Sequence, residues 1–248
     1  MIHEQINQAV DVLNCCEYVV VLTGAGISTE SGIPDFRSPV SGLWAKVSPD
    51  DFTIQKFLSN PQVFYQLGVD FFKVIIDARP NAAHEVIGEL ESRGLVRSII
   101  TQNIDGLHQK GGAKKVCEIH GSLRKGRCIG CHQEQPMEKL LKDVLKGIIP
   151  PLCPRCTAPL KPDVTLFGEG MPPAFQDALD EVRKADGMLV VGSSLVISPA
   201  NMLPGYVDNL VIVNRETTPL DQRARVVIND SILDVIPLLA KSWIGKKS

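Results

Sequence analysis

At 248 residues the chain is long enough to bury a sizeable core, as one domain or as a domain carrying an insert. Hydrophobic and charged fractions of 44% and 22% are ordinary for a soluble globular protein, and a net charge of −2 gives no general attraction to nucleic acid or anionic membrane. No apolar run reaches bilayer-spanning length and MIHEQINQAV lacks the basic-then-apolar order of a secretory leader, so a cytoplasmic protein is expected, with its seven cysteines as metal ligands or free thiols rather than disulfides.

Ile6, Ala9, Val10 and Leu13 recur at helical spacing, which predicts an amphipathic helix over residues 4–16, with Cys15 and Cys16 as small buried side chains at its end. Residues 18–22 form a buried apolar strand that breaks at Thr23-Gly24-Ala25-Gly26. Glycine permits a tight turn and close backbone approach to a ligand, and residues 27–30 are read as a short helix start whose N-terminus favours phosphate. This is half of a dinucleotide fingerprint: Thr29 replaces the third glycine, and no strand ends in an acidic residue about 20 positions on. Gly32-Ile33-Pro34-Asp35-Phe36-Arg37 follows instead, a rigid turn carrying an aromatic face and a cation.

Residues 39–80 hold most of the aromatics and are expected to be helical, with helix starts at Ser48-Pro49-Asp50 and Asn60-Pro61. Phe64, Leu67, Phe71, Phe72 and Ile75 make one apolar stripe, read as core in preference to a lid over a ligand. Asn81 caps a further helix, burying Val86, Ile87 and Leu90 and closed by Gly94. Strands are predicted at 96–100, 115–119, 164–167, 188–191, 210–213 and 226–228, and helices at 174–184, 199–207 and 231–241, leaving a frayed tail at Lys246-Lys247-Ser248. Strands alternating with helices imply an α/β fold with a parallel sheet.

In such sheets ligands bind beyond the carboxyl ends of the strands. Six predicted ends carry small or hydrogen-bonding residues: Gly24-Ala25-Gly26, Gln102-Asn103-Ile104-Asp105, His120, Phe167-Gly168-Glu169, Gly192-Ser193-Ser194 and Asn214. One such end is an ordinary turn; six argue for one shared crevice. His120 is its natural acid–base group, since imidazole titrates near neutrality, and Gly121 leaves room beside it; His108 is read as structural. Cys128-x2-Cys131 and Cys153-x2-Cys156 are two knuckles suited to a closed, tetrahedral and therefore structural zinc site. The 21 residues between them slightly exceed the usual range of about 15–20 and hold a helix at 137–145. His132 is not needed as a ligand, and Cys117 is read as core.

GAGISTESGIPDFRS at 24–38, TQNIDGLH at 101–108, HG at 120–121, the four cysteines, KPDVTLFGE at 161–169, GSSLVISPA at 192–200 and VN at 213–214, in that order and spacing, resemble the sirtuins, the NAD-dependent protein deacylases. The resemblance implies a Rossmann-like NAD-binding domain from 1–38, 81–121 and 162–248, interrupted by a helical module at 39–80 and a zinc-binding module at 122–161. It implies NAD as a consumed co-substrate, one structural zinc ion and an acetylated lysine-containing protein or peptide as partner. The acyl-lysine carbonyl oxygen would attack the ribose carbon bearing nicotinamide, and the acyl group would pass to ADP-ribose. His120 would be the general base, Asn103 would hold ribose and a water, and Ile104 and Asp105 would bind the nicotinamide carboxamide. Phe36 would shield the ribose, Arg37 would orient phosphate, and Gly24, Ala25, Gly26, Gln102, Gly192, Ser193, Ser194 and Asn214 would line the rest. The peptide would add as a strand against Phe167, Gly168 and Glu169, with Val164, Leu166 and Ile197 around the acyl tunnel.

Gly111-Gly112, Leu166 and Ser198 depart from the family's usual residues and bear on acyl and peptide preference, not on the reaction. Succinyl-preferring relatives supply a Tyr-x-x-Arg pair; here Tyr65 is present but Gly68 stands in the arginine's place, so neutral acyl groups are expected. Of three rival readings, the incomplete glycine fingerprint and missing acidic residue argue against a conventional NAD dehydrogenase, and the slightly acidic chain with its ligand crevice against a zinc-ribbon nucleic-acid module; a mono-ADP-ribosyltransferase or NAD hydrolase sharing the cofactor site is the most serious.

Overall fold

The computed structural model describes residues 2–36, 42–45 and 47–247. In chain order, α1 (Ile2–Asn14) leads into β1 (Val19–Thr23), and then come α2 (Ile54–Ser59), α3 (Pro61–Asp77), α4 (Ala82–Ser92), β2 (Ser98–Thr101), α5 (Leu107–Lys110) and β3 (Val116–Glu118). The chain continues through β4 (Gly121–Cys128), β5 (Glu134–Pro136), α6 (Met137–Leu145) and β6 (Leu160–Val164). It ends with α7 (Pro173–Lys184), β7 (Gly187–Val191), β8 (Asn209–Val213), β9 (Val226–Ile228) and α8 (Ile232–Lys247).

Six strands form one parallel sheet in the order β3-β2-β1-β7-β8-β9. Its central strands are buried at every position, and apolar save for Thr23 and Gly187, because both faces are covered. Alternate residues go to opposite sides: Val19, Val21, Leu189 and Val191 pack with α1, α4 and α8, whereas Val20, Leu22, Met188 and Val190 pack with α7 and the 3₁₀ turns at Ala200–Tyr206.

A second, antiparallel sheet has the order β5-β4-β6. Its apolar side, with α6, shares one core with the aromatics of the helical segment: Phe52, Phe57, Phe64, Tyr65, Phe71 and Phe72 meet Leu123, Met137, Leu140 and Leu160. The Tyr65 hydroxyl donates to the Leu160 carbonyl at 2.7 Å, joining α3 to β6.

Several expectations change. Residues 164–167 are not a strand of the parallel sheet: β6 ends at Val164 and pairs antiparallel with β4. Its burial alternates, as suits a sheet with one wet face, and the chain leaves the ladder towards Gly168, whose φ of +79° turns it. Residues 27–30 start no α-helix; two 3₁₀ turns, Ala25–Ile27 and Thr29–Ser31, take their place, so no helix dipole faces a phosphate there. The 199–207 helix is 3₁₀, with Pro204 inside it. The last helix continues to Lys247 because Trp243, 1% exposed, and Ile244 extend its apolar stripe onto the core. Cys16 is buried, but Cys15 is exposed. Leu67 stands 37% exposed while the rest of its stripe is buried. Asn81 does cap α4, its Oδ1 accepting from the Ala83 and His84 amides at 3.0 and 3.4 Å.

Candidate active site

The carboxyl ends of the parallel strands open onto a cavity of about 750 Å³. Gly24, Ala25 and Gly26 enter it from β1, Gln102, Asn103 and Ile104 from β2, His120 from β3, Gly192, Ser193 and Ser194 from β7, and Asn214 from β8. Val164, Leu166, Phe167, Gly168 and Glu169 line it from the turn after β6, and Phe36, Phe52, Phe64, Phe71 and Phe72 give it an apolar end. The aromatic stripe is therefore both core and wall. Arg37 lies outside the described residues.

Asp105 is placed differently from its neighbours. It is 8% exposed and absent from the lining. Its Oδ1 accepts from the Leu107 amide and its Oδ2 from the Ser28 hydroxyl, both at 2.8 Å. Ser28 Oγ, having donated its proton, accepts from Asn103 Nδ2 at 3.1 Å and from His84 Nε2 at 3.3 Å. His84 Nδ1 in turn accepts from the Asn81 amide. Asn103 Nδ2 gives its other hydrogen to the Gly24 carbonyl at 3.1 Å. Both amide hydrogens of Asn103 are thus committed behind the wall, which leaves its carbonyl oxygen as the half available to a ligand.

His120 Nδ1 lies 3.0 Å from the Gln102 carbonyl. A carbonyl only accepts, so Nδ1 carries the proton and Nε2 carries the lone pair. Burial lowers the His120 pKa, which the Gln102 contact partly opposes, so the ring stays neutral and basic at physiological pH. Gln102 is itself fixed, its Nε2 donating to Ser193 Oγ at 2.8 Å. Gly121 is demanded by packing: its φ is +79°, and a Cβ there would sit 2.1 Å from the Asp163 carbonyl oxygen.

His108 is structural, as expected. Its Nε2 donates to Thr23 Oγ1 at 2.9 Å, and that hydroxyl donates to Thr101 Oγ1 at 2.8 Å. Burial lowers His84 to about 4 and His108 to about 3, the latter also through neighbouring His84.

Cavity residues missed in sequence include Glu30, Arg215, Glu216 and Asp230. Arg215 pairs with Glu30 at 3.4 Å. Asp230 lies two residues beyond β9, so the strand-end rule, applied to that strand as well, finds it.

The four cysteine sulfurs lie within 4.8 Å of one another, with Cys128 and Cys156 3.4 Å apart and Cys131 and Cys153 3.6 Å apart. A tetrahedron with Zn–S bonds of about 2.3 Å separates its sulfurs by about 3.8 Å. Backbone amides of Gly130 and Cys131 point at Cys128 Sγ, and that of Arg155 at Cys153 Sγ, as suits thiolates. The donor set fits zinc, with no position left for a substrate.

The fold and crevice define a Rossmann-like α/β protein with an inserted zinc module. The Sir2 family model matches residues 24–199. The NAD-dependent protein deacetylase 2 of Caldanaerobacter subterraneus subsp. tengcongensis is 49% identical over 224 residues, 90% of each chain. A solved Sir2 complex with deacetylated p53 peptide and 3′-O-acetyl ADP-ribose superposes with a TM-score of 0.91 at 38% identity, covering 96% of this chain and 98% of that one. A Sir2–p53 peptide–NAD+ complex does so at 0.88 and 37%, covering 98% and 99%. The chain belongs to the Sir2 family.

Two predictions follow from the buried groups. An unfolded histidine titrates near 6.5, above the folded values of His84, His108 and His120, so unfolding takes up protons below that pH. Stability therefore falls as pH drops from about 6.5 towards 4, by at most about 1.4 kcal/mol per pH unit per histidine. Burial raises Asp105 and Glu118, an effect of opposite sign that sets in as the pH falls through their raised folded values and partly offsets the histidines. A urea midpoint that stays flat between pH 7 and 5 contradicts this reading. For the metal, Cys128→Ser or Cys153→Ser is expected to lower zinc from one ion per chain and to unfold the shared aromatic core, measured by metal analysis and near-ultraviolet circular dichroism; a zinc-free, fully folded wild type rules it out.

Proposed function

We propose that the chain is an NAD-dependent protein lysine deacetylase, which moves an acetyl group from lysine to ADP-ribose and releases nicotinamide. The observation that carries this is His120: a neutral imidazole, its Nδ1 proton fixed on Gln102, set where the polar strand ends meet an apolar channel. With NAD bound, the acyl-lysine carbonyl oxygen would bond to the ribose carbon as the bond to nicotinamide breaks. His120 Nε2 would take a proton from a ribose hydroxyl, whose oxygen then bonds to the acyl carbon; water would enter as the lysine amine leaves, giving free lysine and acetyl-ADP-ribose. Asn103 presents its carbonyl oxygen to the ribose side. Ile104 borders the carboxamide pocket, and Asp105 acts from behind it by holding Ser28. Phe36 covers the apolar end, and Arg37 belongs to the same loop. Gly24, Ala25, Gly26, Gln102, Gly192, Ser193, Ser194 and Asn214 form the remaining cofactor wall.

The acetylated peptide enters against Phe167, Gly168 and Glu169, its acyl-lysine between Val164 and Leu166. The Rossmann-like part comprises 1–38, 81–121 and 162–248, with the helical module at 39–80 and the zinc module at 122–161. No helix among the described residues is long and apolar enough to cross a membrane. A cytoplasmic site of action and a protein rather than nucleic-acid partner complete the reading, in keeping with the net charge of −2.

The reading is tested by incubating the protein with NAD and an acetyl-lysine peptide and weighing the products. Free nicotinamide, acetyl-ADP-ribose and deacetylated peptide are expected; peptide-independent nicotinamide release or ADP-ribosylated protein would instead mark a hydrolase or transferase. His120→Ala is expected to lose about 10²–10⁴-fold in turnover while keeping NAD affinity, and near-normal turnover removes the base assignment. Acyl preference follows from the channel. The Tyr65 hydroxyl is engaged by Leu160, Tyr65 does not line the cavity, and a Cβ at Gly68 would lie 2.6 Å from the Phe72 ring. Among the described residues the one lysine or arginine lining the cavity is Arg215, paired with Glu30. Burying a succinyl carboxylate without a cation costs several kcal/mol. kcat/KM on one peptide is therefore expected to be at least about 10-fold lower for succinyl than for acetyl, and equal values would overturn this.

A further inference from the structure

Lys161 sits in β6, its side chain only 12% exposed, and it does not line the cavity. Its ammonium donates to the Val164 carbonyl at 2.6 Å and to the Pro162 carbonyl at 3.4 Å, and pairs with Glu169 Oε2 at 3.0 Å. The same Glu169 oxygen accepts from the Leu166 amide at 3.0 Å, and the Glu169 amide donates to the Leu166 carbonyl at 3.0 Å. One cation therefore closes the turn 164–169 at both of its ends.

That turn is the wall against which the peptide is proposed to lie. It is also anchored on its flanks. The Thr165 amide donates to the carbonyl of His120 itself at 2.8 Å. The Phe167 amide donates to Phe52, and the Phe167 carbonyl accepts from Ile54, at 3.1 and 3.0 Å. Strand pairing with residues 52–54 thus already occupies the Phe167 backbone, so an added peptide strand must read the other edge of the turn, whose shape the ammonium sets.

An ion pair with one member buried and the other about a third exposed, 12% and 32% here, is poor at stabilising a fold, since desolvation and screening offset most of its attraction, whereas it is well suited to fixing one conformation. We infer that Lys161 is a positioning residue for acyl-peptide recognition: through Val164 and Glu169 it holds the 164–169 turn in its peptide-binding shape without touching NAD or the reacting atoms. The inference rests on the deacetylase reading above.

The test is Lys161→Met, similar in length and without charge, with Lys161→Gln as a second uncharged variant and Lys161→Arg as the conservative one that keeps the cation. Steady-state kinetics with each substrate varied should show the peptide KM raised about 10-fold in both uncharged variants and largely restored in Lys161→Arg, with NAD KM and kcat within about three-fold of wild type. Binding of a fluorescent acetyl-lysine peptide by anisotropy, which needs no turnover, should weaken in parallel, while zinc content and melting temperature report folding. Peptide and NAD KM rising together, no difference between Lys161→Arg and the uncharged variants, or an unchanged peptide KM in a folded uncharged variant would each overturn the inference. Wild type that binds peptide but does not turn it over would sink the deacetylase reading and leave the anisotropy comparison to decide this one. If Lys161→Met does not fold, Lys161→Gln carries the test.

Discussion

The structure depends on a backbone-to-backbone contact between the loops that leave β1 and β7. The Gly26 amide donates to the Gly192 carbonyl at 2.9 Å, and the Gly24 amide to that of Val191 at 3.3 Å. A Cβ at Gly24 or Gly26 would lie 2.8 Å from the Gly192 carbonyl oxygen, and one at Gly192 would lie 2.4 Å from the Ile27 amide nitrogen. Three glycines are needed because three side chains would push the two loops apart. With the loops in contact, the central strands deliver Ala25, Ser193 and Ser194 into one floor, and β2 and β3 add Gln102 and His120 beside them. The glycine pattern that looks like a phosphate loop is thus first a packing requirement between two strand ends.

Electrostatics then separates three histidines of one chain. His84, His108 and His120 are all pushed towards the neutral form by burial. Only His120 borders the cavity. His84 and His108 spend their protons on Ser28 and Thr23, and through Ser28 and Thr101 they stiffen the segment that carries Asn103. The cost of keeping two neutral imidazoles inside the protein falls on stability at acid pH, that of the buried Asp105 carboxylate at higher pH, while the benefit appears at one amide that lines the cavity.

The inserted segments form a single aromatic core rather than two satellites. Tyr65 reaches from α3 to β6, the β6 strand continues into the 164–169 turn, and residues 52–54 pair with Phe167. The four-cysteine site therefore bears on the apolar end of the cavity: the knuckle residues Cys128 and Cys153 belong to the same apolar cluster as Phe64, Phe71, Val164 and Leu166.

Much of this was legible in the chain. Continuous apolar runs mark strands covered on both faces, Cys-x2-Cys spacing sets a sulfur geometry by itself, and small polar residues after strands mark a crevice in any parallel sheet; each of these is local chemistry, decided within a few residues. What sequence could not decide was partnership. Val164–Leu166 has strand chemistry, yet only the pairing with β4 assigns β6 to the antiparallel sheet and bends the following turn into the cavity wall. Asp105 follows a strand as Asn103 does, but β2 has ended at Thr101, so strand alternation no longer directs its side chain, and Ser28, from another loop, and the Leu107 amide capture it. The Tyr65 hydroxyl and the Lys161 ammonium carry no mark of their targets, because hydrogen-bonding capacity is a property of the residue while its partner, Leu160 or Glu169, is chosen by packing between elements. Residue type and spacing determined the fold class and the chemical groups; the tertiary structure decided which of those groups face the ligand and which hold the others in place, since that depends on distances between segments that no local pattern encodes.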